Sequence, residues 1–168
     1  VIAVCYYERI EAKEVSKALK TFEGAKRRFN EIPAGDSIII DDYAHHPNEI
    51  KATLKAVKQK YPDKKIIGIF QPHTFSRTKE FAHDIALILN KCDYAYVIDI
   101  HPSREKQEDY PSITSNLIID ELEHGEHISI DDAKVLNKYE NAVFLFMSPN
   151  DISKLEIDLK NLKENHIL

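Results

Sequence analysis

Ser37-Ile38-Ile39-Ile40-Asp41, a lysine-rich stretch over 47–61, and Lys65-Ile66-Ile67-Gly68-Ile69-Phe70 follow one another, and this succession decides the fold. The two apolar runs are short and do not alternate with polar residues. They read as strands buried on both faces. Between them, Pro47 suits a first helical position and Glu49 favours the positive end of a helix. Ile50, Leu54 and Val57 form an inner stripe, and Lys51, Lys55, Lys58 and Lys60 a solvated face. Buried strand, helix and buried strand make a βαβ unit, and hence a parallel sheet.

The pattern continues outward. Residues 78–90 read as a helix with Phe81, Ile85, Ile88 and Leu89 inward, 94–100 as a strand, and 101–111 as a polar loop. A helix at 115–123, a short strand at 127–129, a helix at 131–139, a strand at 142–147 and a helix at 149–165 follow. Upstream, 2–21 reads as two short helices broken near 9–11, with Gly24 as a C-cap. Right-handed crossovers then give a three-layer, Rossmann-like α/β domain with a mostly parallel sheet of about six strands. No repeat or linker divides residues 1–168, so a single domain is expected.

Composition narrows the function classes. The chain has 168 residues, 43% hydrophobic and 30% charged, which is globular. A net charge of −5 argues against a broad basic face for nucleic acid. No apolar run is long enough to span a membrane and nothing resembles a signal peptide, so the cytoplasm is expected. Gly24, Gly35, Gly68 and Gly125 are too scattered for a glycine-rich phosphate loop. The chain starts at Val1, inside an apolar run, as a piece of a longer protein would. Cys5 and Cys92 lack metal-site spacing and read as two ordinary buried thiols.

Ligands of such sheets bind beyond the carboxyl ends of the strands. There the sequence places Asp41-Asp42-Tyr43-Ala44-His45-His46-Pro47, then Gln71-Pro72-His73-Thr74-Phe75-Ser76-Arg77-Thr78, then His101-Pro102-Ser103-Arg104-Glu105, then Ser148-Pro149-Asn150-Asp151. Taken singly, His46 reads as an N-cap and Asp41 or Asp42 as an acceptor of loop amides. Taken together, two aspartates and two histidines in six residues read as a site. The types suit a metal such as zinc, or a ligand whose hydroxyls bind carboxylates and whose anion binds Arg and His. Arg77 lies one turn beyond His73, so both can face one anion. Lys26-Arg27-Arg28 is a second basic point, suited to a phosphate. Ser148 reads as an N-cap with Pro149 at the first helical position and Asp151 at the third.

Phe22-Glu23-Gly24-Ala25-Lys26-Arg27-Arg28-Phe29, the D-D-Y-A-H-H-P string and the F-Q-P-H-x-x-S-R-T string occur in this order. Together they resemble the C-terminal domain of the Mur ligases, in the branch (MurC-type) that joins L-alanine to UDP-N-acetylmuramate. The resemblance runs to about Lys154. It implies the third domain of a cytoplasmic enzyme of peptidoglycan precursor synthesis, whose UDP-sugar domain and central domain lie outside this sequence. ATP and Mg2+ would bind mainly to that central domain, and the partners implied are L-alanine, ATP, UDP-N-acetylmuramate and the other two domains. The reaction implied is ATP-dependent amide formation through an acyl phosphate, with the isolated fragment inactive.

The resemblance puts Asp42 on the ATP ribose and Arg28 on the nucleotide phosphates. Tyr43, His45, His73 and Arg77 would line the amino-acid pocket, with His73 and Arg77 near the carboxylate. Asp41, His46 and Ser148 are secondary candidates, and no metal ligand or catalytic nucleophile is implied in this domain. Two positions depart from the family pattern: Thr74 stands where many relatives have a second Arg, and Ser148-Pro149-Asn150 where they have Gly-Ala-Gly. The alternatives are a divergent nucleotide- or metabolite-binding paralogue without ligase activity, and a small metal-dependent hydrolase using Asp41, Asp42, His45, His46 and His73.

Overall fold

A computed structural model describes residues 2–21 and 27–165. Six strands form one sheet: β1 (Asn30–Ala34), β2 (Ser37–Asp42), β3 (Lys65–Phe70), β4 (Tyr94–Val97), β5 (Gly125–His127) and β6 (Ala142–Met147). Their spatial order is β1-β2-β6-β3-β4-β5, and every pairing is parallel except β1 with β2. The late strand β6 thus lies between β2 and β3. All six of its residues are buried, as expected of a strand covered on both faces.

The helices supply that cover. The helices α3 (Pro47–Lys60), α4 (Phe75–Leu89) and α5 (Asn116–Ile119) lie on one face, where Ile50, Leu54, Val57, Ile85 and Leu89 meet Ile40, Phe70 and Leu145. On the other, α6 (Ala133–Leu136) and α7 (Ser153–Asn165) pack Leu136, Leu155 and Leu159 against Ile39, Ile67, Phe144 and Phe146. The domain is therefore the expected three-layer α/β structure.

Several boundaries differ from the sequence reading. The sixth strand is β1, an edge strand not read from Asn-Glu-Ile-Pro-Ala, where Pro33 occupies a position confined to sheet edges. It joins β2 in a hairpin whose turn needs Gly35 at φ 63°. The strand expected over 94–100 ends at Val97 and the one expected over 127–129 is Gly125–His127. The helices expected over 115–123 and 131–139 shrink to single turns, Asn116–Ile119 and Ala133–Leu136. Helix α4 begins earlier than expected, at Phe75, capped by Thr74. Helix α7 begins only at Ser153, whose N–H donates to Asp151 Oδ1 at 3.0 Å. Ser148 is therefore not its N-cap.

Helices α1 (Ile2–Tyr7) and α2 (Ala12–Lys20) form the expected broken pair but bury no residue in the domain. Ile2, Tyr6, Ile10, Val15 and Leu19 line an apolar cleft between them. The expected C-cap, Gly24, lies outside the described residues. Cys5 is only half-buried, contrary to the sequence reading, because this pair is not covered. Cys92 is buried, and burial pushes its thiol up to about 12.

Where β5 meets β4 the backbone leaves no room for a side chain. A Cβ on Gly125 would lie 2.5 Å from Leu122 Cδ1 and 2.6 Å from the Ala95 carbonyl oxygen. Gly125→Ala is therefore expected to destabilise the domain by about 2 kcal/mol in a urea titration. Gly68→Ala should cost less, since its nearest neighbour, at 2.9 Å, is the Cys92 side chain rather than backbone.

Candidate functional site

Because β6 lies between β2 and β3, the segments after β2, β6, β3 and β4 share one edge of the sheet. In a parallel sheet this carboxyl-end edge is where ligands bind. Two groups of side chains meet there, joined at Tyr43.

The first group is an aromatic and basic ladder. Tyr43 and His45 rings stand edge to face at 5.5 Å, His45 and His73 at 5.9 Å, and His73 stacks on His101 at 5.9 Å with 9° between planes. Backbone bonds fix the two loops to each other: His101 N–H donates to Pro72 O at 2.9 Å and Thr74 N–H to His101 O at 2.8 Å. Burial, then the charges of Arg77, His45 and His101, hold the His73 imidazole below its usual range. Its Nδ1 is buried without a partner. In the tautomer that leaves this atom unprotonated, the neutral ring is a donor from Nε2.

Arg77 is half-buried beside His73 and has no ion pair among the described residues. Its helix is capped by Thr74, held at φ 64°, a costly conformation for a β-branched residue. Thr74 Oγ1 accepts from Arg77 N–H at 3.4 Å. Glu105 reaches in from the loop after β4 and accepts from Ser76 N–H at 2.9 Å and from its hydroxyl. Burial raises the Glu105 carboxyl, but these Ser76 bonds outweigh it and leave it lowered. A forked guanidinium beside a neutral imidazole donor suits a carboxylate.

The second group lies on the other side of Tyr43, around Asp42 and Arg28. Asp42 is 7% exposed. Its Oδ1 accepts from Ala44 N–H at 2.9 Å and the Thr53 hydroxyl at 3.1 Å, and its Oδ2 from Phe29 N–H at 2.8 Å. A carboxylate has about four acceptor positions, so Oδ2 keeps one for a ligand. The exposed Arg28 guanidinium lies 5.1 Å from the Tyr43 ring centroid. Arg27 turns inward, with Nε 3.5 Å from Asp41 Oδ2.

Asp41 and Glu156 are both buried next to Arg27. Burial raises Asp41, and Arg27 partly offsets it. Burial, with Asp41 and Asp151 adding to it and Arg27 opposing it, pushes the Glu156 carboxyl from 4.5 up to about 7. The folded state thus holds a proton that the unfolded chain has already released, so this group stabilises folding less and less as pH rises from 4.5 to about 7. The cost above that window is about 3 kcal/mol. Glu156→Gln is expected to abolish the slope and to exceed the parent in stability at alkaline pH, measured by urea titrations on both sides of the window.

The structure brings Tyr43, His45, His73 and Arg77 together, and sets Asp42 and Arg28 on the far side of Tyr43. His46 serves α3 instead: its Nδ1 accepts from Asn48 N–H at 3.3 Å, and Glu49 Oε2 accepts from the His45 and His46 amides at 3.1 and 3.2 Å. Asp41 turns Oδ2 to Arg27 and buries Oδ1 without a partner, and Ser148 Oγ holds a local turn by accepting from Asn150 N–H at 2.9 Å. The five side chains of the hydrolase reading therefore do not converge, and the described residues contain no group of three or more placed to hold a metal. His101 and Glu105 belong to the site but had no role assigned from sequence. His101 has a signal there, a histidine following a buried strand; the partner of Glu105, 29 positions away, has none.

The sequence matches the model of the Mur ligase, glutamate ligase domain over residues 27–151. Among solved structures, UDP-N-acetylmuramate–alanine ligase from Thermotoga maritima is 26% identical with a TM-score of 0.77, and the match covers 98% of this chain and 36% of that one. A murein peptide ligase from Psychrobacter arcticus is 22% identical with a TM-score of 0.68, covering 98% of this chain and 35% of that one. A bifunctional folylpolyglutamate synthase/dihydrofolate synthase from Yersinia pestis, solved with AMPPNP and a Mn ion, is 14% identical with a TM-score of 0.67, covering 96% and 37%. The last two share the fold, and the chain spans little more than a third of the length of each of the three. With its fold, its strand-end site and a family match over most of its length in agreement, the chain belongs to the Mur ligase C-terminal domain family.

Proposed function

We propose that this chain is the C-terminal domain of a MurC-type, ATP-dependent ligase that joins L-alanine to UDP-N-acetylmuramate in peptidoglycan precursor synthesis. The observation that carries this reading is the division of the sheet edge. Arg77, His73, His45 and Tyr43 suit an amino acid, and Asp42 and Arg28, on the other side of Tyr43, suit a nucleotide. The three motif strings and the similarity to the Thermotoga maritima alanine ligase support the alanine-adding branch.

In this reaction the muramyl carboxylate takes the γ-phosphoryl group of ATP, and the alanine amine attacks the acyl phosphate and displaces phosphate. Magnesium supplies charge neutralisation on the transferring group when bound with ATP, on ligands in the central domain. The residues of this chain act by position. Arg77 forks onto the alanine carboxylate, with the His73 Nε2 proton as a second donor. The remaining Asp42 position takes a ribose hydroxyl, and Arg28 a phosphate. Orienting amine against acyl phosphate is worth several kcal/mol. We infer further that the exposed apolar faces of α1 and α2 pack against the rest of the ligase, whose UDP-sugar and ATP-binding domains complete the enzyme in the cytoplasm.

The test is phosphate release by the full-length protein supplied with ATP, UDP-N-acetylmuramate and single amino acids. Release that depends on the nucleotide sugar and is fastest with L-alanine is expected, and residues 1–168 alone should release none. Preference for a peptide or a glutamate acceptor would move the chain to another branch, and nucleotide binding with no release under any acceptor would make it a paralogue.

A further inference from the structure

The loop after β6 lies between the end of β2, which carries Asp42, and the end of β3, which leads to His73 and Arg77, and one side chain holds it there. Arg27 Nη2 donates to Ser148 O at 2.7 Å and to Asn150 O, and Nη1 to Pro149 O at 3.4 Å, while Nε faces Asp41. Three consecutive carbonyls thus converge on a single guanidinium. Four of its five N–H groups are used within the protein, which leaves it little to offer a ligand. Arg27 itself sits at φ 57°, a conformation that costs a non-glycine residue free energy, and its carbonyl accepts from Tyr43 N–H at 2.9 Å. The opposite side of the loop is tied to the amino-acid half. Ser148 Oγ donates to Gln71 Oε1 at 3.0 Å and Asn150 Nδ2 to the same oxygen at 3.4 Å. Gln71 stands two residues before His73.

We propose that Arg27 is a positioning residue, whose guanidinium clamps the Ser148-Pro149-Asn150 loop and so fixes the distance between the nucleotide half and the amino-acid half of the site. This rests on the ligase reading above. Its neighbour Arg28, exposed over Tyr43, is left to meet ligand. A lysine at position 27 would keep the charge against Asp41 and Glu156, but its single ammonium cannot replace a fork on three carbonyls.

The experiment uses the full-length ligase with Arg27→Ala and Arg27→Lys, read by kinetics and by hydrogen exchange of the amides at 148–152. Arg27→Ala is expected to lower kcat/KM about tenfold or more and to speed exchange of the loop amides, and millimolar guanidinium should restore both. Arg27→Lys is expected to melt near the parent temperature yet remain impaired, which separates the clamp from a general need for charge and keeps the test open if the alanine variant does not fold. Activity within twofold of the parent in either folded variant, a loss that guanidinium leaves unchanged in Arg27→Ala, or parent-like loop exchange would overturn the proposal. An inactive parent would overturn the ligase reading instead, and hydrogen exchange would still judge the clamp.

Discussion

If the full-length protein is the proposed ligase, Arg77→Ala is expected to lower its kcat/KM for the amino acid by a factor of about 100 to 1,000, which corresponds to about 3–4 kcal/mol. Arg77 lies beside a neutral His73, without an internal ion pair among the described residues. Its charge is not spent on the fold, so its removal should leave the melting temperature close to the parent's. The loss should fall on KM for the amino acid, with KM for ATP unchanged, because the proposed nucleotide contacts, Asp42 and Arg28, lie on the other side of Tyr43. Arg77→Lys should recover only part of the activity, since a point charge replaces a planar fork. Steady-state kinetics with each substrate varied in turn, beside thermal melts, check these expectations. A change below threefold in the alanine variant would remove Arg77 from the pocket.

Asp42→Ala is expected to act first on stability. The carboxylate accepts two backbone N–H groups and the Thr53 hydroxyl, and those groups lose their acceptor together. Hydrogen bonds to a charged group are worth about 1.5–3 kcal/mol each and are not additive, so a loss of about 3 kcal/mol is expected. That is a large part of a typical folding stability and should lower Tm by about 10 °C. Asp42→Asn keeps Oδ1 as an acceptor but turns an amide toward Phe29 N–H, and should lose about half as much. The nucleotide contact is therefore read from KM for ATP in the Asn variant, below its melting temperature. An Asp42→Ala protein that melts with the parent would show that the three bonds carry little.

The contrast between Arg77 and Asp42 also marks what the sequence could disclose. Buried strands, with residues such as Ile39-Ile40 and Phe144-Leu145-Phe146, and the stripe Ile50-Leu54-Val57 identify themselves by composition and period, and the structure buries all of these residues. The strand-end rule then finds His45, His73 and Arg77 without knowledge of strand order. Edge and end elements were not legible in the same way. Strand β1 contains a proline and few apolar residues, and α5 and α6 are single turns held by packing rather than by their own pattern. The division of work between adjacent like residues was hidden too. Asp41 and Asp42, and likewise Arg27 and Arg28, look equivalent in a string. They separate only once β6 is inserted between β2 and β3, which turns Arg27 toward the 148–150 carbonyls and leaves Arg28 over Tyr43.

The most direct measurement of the central claim is a crystal structure of the full-length protein with L-alanine and a non-hydrolysable ATP analogue. The account predicts the alanine carboxylate about 3 Å from the Arg77 guanidinium, with His73 Nε2 as its second donor and the ribose on Asp42. An alanine bound away from the edge formed by Tyr43, His45, His73 and Arg77 would contradict it.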